Sequence, residues 1–80
     1  MMSEMDRVKR VMAAVLSVDI ETIGDDSSVD DMEAWDSLRH INLIIALEQE
    51  FGISLPDEEV ASLTSVRLLT MAISDEVRKG

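Results

Sequence analysis

Apolar residues recur at intervals of three and four in several stretches of this chain, and no stretch alternates with the period of a strand. That spacing lines one face of a helix, which restricts the chain to helix-on-helix packing. Met5, Val8, Met12, Val15 and Leu16 form the first stripe. Ser3 precedes it as N-cap, and Glu4 and Asp6 in the first turn suit the positive end of the helix dipole. The pattern fades near Val18. A second stripe of Leu38, Ile41, Ile44, Ile45 and Leu47 predicts a helix over 37–51, closed by Gly52. Ile53 and Leu55 turn inward across a short connection. Pro56-Asp57-Glu58-Glu59 then opens a short helix with Val60 and Leu63 as its core contacts. Thr64 or Ser65 caps a last helix with the stripe Val66, Leu69, Ile73 and Val77, and Arg78 and Lys79 suit its negative end. The expected fold is all-α: a small bundle of three longer helices plus one short helix, with a long loop between the first and second helices. Residues 1–80 are expected to form one domain.

The long loop spans residues 19–36 and holds eight acids and no base. Gly24 and Asp25-Asp26-Ser27-Ser28 mark turns within it. Ile20, Ile23, Val29 and Met32 interrupt the acidity, which implies that the loop packs on the helices. A loop of this length in a compact domain is uncommon and usually functional. Here it delivers the chain to Trp35-Asp36-Ser37-Leu38. Asp36 reads as the N-cap of the second helix, and Ser37 presents its hydroxyl outward on the first turn.

Eighty residues lie near the size at which one core only just suffices. The chain has no cysteine, which removes disulfides, thiolate metal sites and any protein thiol for covalent catalysis. Stability must come from packed helices, and six methionines suggest a plastic core. A net charge of −10 and only two aromatic residues, Trp35 and Phe51, exclude phosphate-backbone binding and base stacking, so no nucleic-acid partner is expected. Proteins with basic patches are the natural partners of such a surface. The start, Met-Met-Ser-Glu-Met-Asp, lacks the basic segment and apolar run of a signal peptide, and no apolar stretch reaches membrane-spanning length. A soluble, cytoplasmic monomer without membrane insertion is expected, its charge opposing self-association.

Three segments, Asp36-Ser37-Leu38, Ala46-Leu47-Glu48-Gln49-Glu50-Phe51-Gly52-Ile53 and Leu55-Pro56-Asp57-Glu58-Glu59, resemble the acyl carrier proteins in order and spacing. The resemblance implies a covalent 4′-phosphopantetheine arm on Ser37, with Asp36 and Leu38 as the flanking motif. It implies a carrier that makes no bonds itself. Such a carrier shuttles acyl or aminoacyl thioesters between enzymes of a fatty-acid, polyketide or other specialised acyl-transfer pathway. The implied partners are a phosphopantetheinyl transferase, since no base in the chain is placed to activate Ser37, and acyl-transferring or acyl-activating enzymes with basic docking patches. It also implies Ile41, Ile44, Leu47, Leu55, Val60 and Leu63 as the lining of an acyl pocket, each of which equally suits the core.

The neighbourhood of Ser37 departs from the fatty-acid carriers, which place a small residue before the motif and acids on the turns after it. This chain has Trp35, then Arg39, His40 and Asn42, with acidity returning only at Glu48 and Glu50. We take Trp35, Arg39, His40, Asn42 and Glu48 as candidate partner-recognition residues of a specialised carrier, with Trp35 equally suited to anchor the loop on the core. Three other readings compete. A serine hydrolase is suggested by Ser37 and His40 at i and i+3, but no glycine-rich elbow or oxyanion loop accompanies them. Aligned as a calcium loop, Asp19, Glu21 and Gly24 put Ile23 at a ligand position and Asp30 where a glutamate belongs. No metal or catalytic residue is therefore expected. An acidic helical adaptor without a prosthetic group is the remaining alternative.

Overall fold

A computed structural model describes residues 3–79. It contains α1 (Glu4–Leu16), α2 (Ser37–Phe51), α3 (Asp57–Val60) and α4 (Val66–Lys79), with a 3-10 turn at Ile20–Thr22 inside the long loop. This is the expected arrangement of three longer helices and one short one. Ser3 opens α1 with a capping box: its Oγ accepts the Asp6 N–H at 3.1 Å, and Asp6 Oδ2 accepts the Ser3 N–H at 3.2 Å. Ser17 closes α1 in the left-handed region, φ 56°, an uncommon conformation for a residue other than glycine. Gly52 closes α2 with φ 65°, where it avoids the steric cost that a Cβ would meet. Ser65, not Thr64, caps α4, its Oγ accepting the Leu68 N–H at 3.1 Å.

Helix α1 packs against both α2 and α4. Val8, Met12 and Leu16 meet Leu43, Ile44 and Leu47 of α2 and Val66, Leu69 and Ile73 of α4 in one core, which Ile23, Trp35, Leu55 and Leu63 complete. Two stripes differ from expectation. On α2, Leu38, Ile41 and Ile45 are 69%, 55% and 49% exposed, whereas Leu43, absent from the expected stripe, is fully buried. The reason is that α2 is apolar around most of its circumference. At 100° per residue, Leu43 and Leu47 centre one arc while Leu38 and Ile45 centre the opposite one, so spacing alone does not tell inside from outside. On α4, Val77 is 41% exposed, because the last turn runs past the end of α1's buried face. Of the six methionines, Met1 and Met2 lie outside the described residues, Met12 is buried, Met5 and Met32 pack partly against the core, and Met71 is 61% exposed. Branched aliphatic side chains make most of the core.

The acidic loop is fastened rather than free. Val29 donates its N–H to Thr64 O at 2.9 Å, and Val66 donates to Ser27 O at 2.9 Å, giving a short antiparallel bridge between Ser28 and Ser65. Lys9 pairs with Asp25, and Arg67 with Asp26 at 2.8 Å. The hydrogen bond from Lys9, and then its charge, holds the Asp25 carboxyl below the usual carboxylate range. Asp25 and Asp26 are exposed, so salt screens these pairs and the two backbone hydrogen bonds carry the register. Of the loop's apolar residues, Ile23 is buried and Val29 and Met32 are half-buried, but Ile20 is 40% exposed in its 3-10 turn. The loop's last apolar side chain, Trp35, is 2% exposed and sets where α2 begins.

Candidate functional site

The site is the first turn of α2. Asp36 holds extended backbone, φ −104° and ψ −178°, and its Oδ1 accepts the Arg39 N–H at 2.9 Å while its carbonyl accepts the His40 N–H at 2.8 Å. This capping leaves the Ser37 and Leu38 N–H groups outside the intrahelical ladder, at the positive end of the helix dipole. Ser37 is exposed, and among the described residues its hydroxyl has no hydrogen-bond partner. Leu38 projects into solvent beside it. Asp36 is occupied as a cap and offers no base to Ser37.

A cavity of about 420 Å³ lies against this turn, lined by Val29, Asp36, Ser37, His40, Ile41, Asp57, Val60, Ala61 and Thr64. A larger depression of about 720 Å³ runs along α4 past Leu68 and Met71, but its lining excludes α2 altogether. Size alone therefore does not select the site; the exposed hydroxyl does. Of the expected acyl-pocket residues, Ile41 and Val60 line the cavity at Ser37. Ile44, Leu47, Leu55 and Leu63 are instead packed within the core. Val29, Ala61 and Thr64 complete the wall. Their contribution was not legible in the sequence, because it depends on the Val29–Thr64 hydrogen bond joining segments distant along the chain.

His40 is not a free base. The Trp35 indole Nε1–H donates to His40 Nδ1 at 3.0 Å, and His40 Nε2 lies 2.8 Å from Val60 O. An indole N–H can only donate, so Nδ1 is the acceptor and Nε2 carries the proton that is given to Val60. Both ring nitrogens are engaged away from the Ser37 hydroxyl, which removes the hydrolase reading. Trp35 and His40 thus face inward. Trp35 is too deeply buried to touch a partner, because the indole fills the core at the base of α2. Glu48 is also used internally, its Oε2 accepting the Leu55 N–H at 2.7 Å. Arg39 and Asn42 remain exposed, with Arg39 Nη1 donating to Ala34 O at 3.1 Å.

The donor set suits a phosphodiester on Ser37: an open hydroxyl and free N–H groups at a helix start. The adjoining cavity is walled by Val29, Ile41, Val60 and Ala61, which suits an apolar chain attached nearby.

Residues 6–73 match the family described as Phosphopantetheine attachment site. Over 74 residues, 91% of this chain and 90% of the relative, the sequence is 40% identical to an acyl carrier protein of Thermosynechococcus vestitus. The fold superimposes on the solution structure of a holo acyl carrier protein from Geobacter metallireducens with a TM-score of 0.85. That match has 28% identity and covers 98% of this chain and 90% of the other.

Proposed function

We propose that Ser37 is the attachment residue of this chain, which belongs to the acyl carrier proteins and carries acyl groups on a covalent 4′-phosphopantetheine arm without catalysing a reaction itself. The observation that carries this assignment is the exposed Ser37 hydroxyl on the first residue of α2, without a hydrogen-bond partner among the described residues and beside an apolar-walled cavity. When bound, the arm supplies the thiol on which an acyl group rides as a thioester. The chain's own residues do three things. Asp36 shapes the turn that presents Ser37, the start of α2 favours the added negative charge, and Ile41 and Val60 offer apolar surface to the cargo. A transferase must supply the base and deliver the arm from coenzyme A. Incubation with coenzyme A and a broad-range phosphopantetheinyl transferase is expected to raise the intact mass by one arm. It should also create one titratable thiol in a chain that has no cysteine. A protein that gains neither is an unmodified acidic adaptor, and the carrier reading falls.

Residues 1–80 are read as one carrier domain acting as a cytoplasmic monomer, the monomer being supported by a net charge of −10 that opposes self-association. Its partners are the transferase and acyl-handling enzymes. The partner-facing side of α2 supports a specialised clientele. Leu38, Ile41, Asn42, Ile45 and Gln49 make its outer face apolar or amide, and Arg39 is the charge on its first turn. The acids further along are engaged within the chain, Glu48 by Leu55 and Glu50 by Arg7 at 3.0 Å. A basic patch built for an acidic helix finds little to pair with here, and interfacial charge pairs set orientation and partner choice. Generic fatty-acid ketosynthases and malonyl transferase are expected to use the loaded protein with a kcat/KM on the order of tenfold below that for their usual carrier, the loss expected from a few missing exposed charge pairs. Equal use of both carriers would show that this helix face does not select partners.

A further inference from the structure

Helix α3 is a single turn, and none of its residues is buried. Pro56 gives it no side-chain cap. The segment hangs between two fixed points. Leu55 is in the core with its N–H held by Glu48, and Leu63 is in the core with Thr64 O held by the Val29 N–H. Between them, the hydrogen bonds within residues 56–62 are local, running from Glu59 and Val60 to Pro56 and from Ser62 to Glu59. Val60 O also accepts the Leu63 N–H at 3.2 Å, and among the described residues the one hydrogen bond reaching the segment from another helix is His40 Nε2–H to Val60 O. His40 stands on the first turn of α2, three residues after Ser37, and both His40 and Val60 line the cavity there.

We propose that His40 is a latch, a positioning residue that holds α3 over the cavity beside Ser37 and so governs how far cargo on the arm is sheltered; this rests on the assignment of the arm to Ser37. Trp35 sets the latch. Its indole N–H occupies Nδ1, which leaves the proton on Nε2, the nitrogen that faces Val60. Without that bond, α3 keeps the partial packing of Val60 on the core and the Leu63 N–H to Val60 O bond but no tie to α2, and short segments of this kind open at low free-energy cost. A latched α3 keeps Val60 and Ala61 as a wall opposite Ile41. An unlatched one leaves the cavity open to solvent. Selectivity for cargo would then come from a side chain that touches neither the arm's phosphate nor the reacting thioester.

Two measurements separate the latch from the arm. Amide exchange on the unmodified protein reads the latch alone. His40→Ala should speed exchange across residues 59–63 by about three- to tenfold, the opening expected from one lost hydrogen bond, while α1 and α4 amides keep their protection. Hydroxylamine cleavage of an octanoyl thioester on the modified protein reads the shelter. Each cleavage turns one thioester and one hydroxylamine into one hydroxamate and one free thiol, counted against a cysteine-free background. His40→Ala should release thiol severalfold faster than wild type, and a two-carbon acyl group should show little difference. His40→Gln can accept from Trp35 through its amide oxygen and donate to Val60 through its amide nitrogen, so it should restore both readouts. Trp35→Phe removes only the partner of Nδ1 and leaves Nε2–H able to donate to Val60, so at residues 59–63 it should fall between wild type and His40→Ala. Unchanged exchange in His40→Ala, or no rescue by His40→Gln, overturns the latch. Altered exchange with wild-type thiol release overturns its role in sheltering cargo. A protein that takes up no arm at all overturns the carrier assignment and with it the sheltering role, and exchange still decides whether the latch exists. Should His40→Ala fail to fold, the same comparison between His40→Gln and His40→Leu, which fills the space but has no donor, decides it.

Discussion

Ser37→Ala is expected to stay at its unmodified mass under conditions that convert the wild type completely, while folding as well as the wild type does. The loss is total because attachment needs this oxygen and no other hydroxyl in the chain has equivalent surroundings. Thr22, Ser62 and Thr70 donate to backbone carbonyls, and Ser28 and Ser74 donate to carboxylates. Ser3, Ser27 and Ser65 accept backbone N–H groups in caps and turns. Ser17 terminates α1, where the dipole opposes an added anion, and Ser54 lies in the connection between α2 and α3. Thr64 is half-buried, its backbone carbonyl bonded to Val29. Ser37 begins a helix and is open. Alanine at an exposed first helical position leaves the Asp36 cap in place, so the stability change should fall within about 0.5 kcal/mol. Intact mass reads the first effect and urea unfolding the second. Label on the alanine variant at the wild-type level would move the arm to another residue and remove the basis for assigning the cavity beside it.

How much of this was legible in the sequence differs by element, for physical reasons. The Ser3 cap, the Gly52 stop and the Pro56 start were readable because each depends on one residue's local chemistry. The stripe of α1 was readable because charged residues occupy its other faces, which leaves one way to bury it. Helix α2 has no such contrast: with Leu38, Ile41 and Ile45 as apolar as Leu43 and Leu47, only contact with α1 decides which arc is inside. The attachment residue was legible from a short motif, but the cavity beside it was not, since Val29, Ile41 and Thr64 meet through tertiary contacts. The recognition residues divided along the same line. Arg39 and Asn42 are exposed as their polarity suggests, whereas His40 and Glu48 are polar residues whose bonds turn inward to Val60 and Leu55. A polar side chain near a functional serine is as able to hold the scaffold as to meet a partner, and only the geometry separates the two.

Trp35→Ala is expected to be among the most damaging substitutions in the chain, at about 3–5 kcal/mol, the cost of removing a large buried aromatic and leaving a cavity. A domain of this size commonly has a total stability on the order of 5–10 kcal/mol, so the variant should be largely melted at moderate temperature. Three contributions act together. The indole is 2% exposed in the common core, its N–H satisfies His40 Nδ1, and it fixes the end of the long acidic loop against the start of α2. Trp35→Phe separates them by keeping a ring while removing the donor. It should cost about 1–2 kcal/mol, the range for leaving a partly buried acceptor unpaired. Leu38→Ala provides the contrast: a similarly apolar residue two positions beyond the motif aspartate, but 69% exposed, it should change stability by no more than about 0.5 kcal/mol. Urea unfolding followed by far-ultraviolet circular dichroism measures all three, since the single tryptophan cannot report on its own removal. A Trp35→Ala variant within about 1 kcal/mol of wild type would mean that the indole is not part of the core in solution. The loop would then reach Ser37 without an anchor, and the orientation of the attachment site would have to come from the Asp36 cap alone.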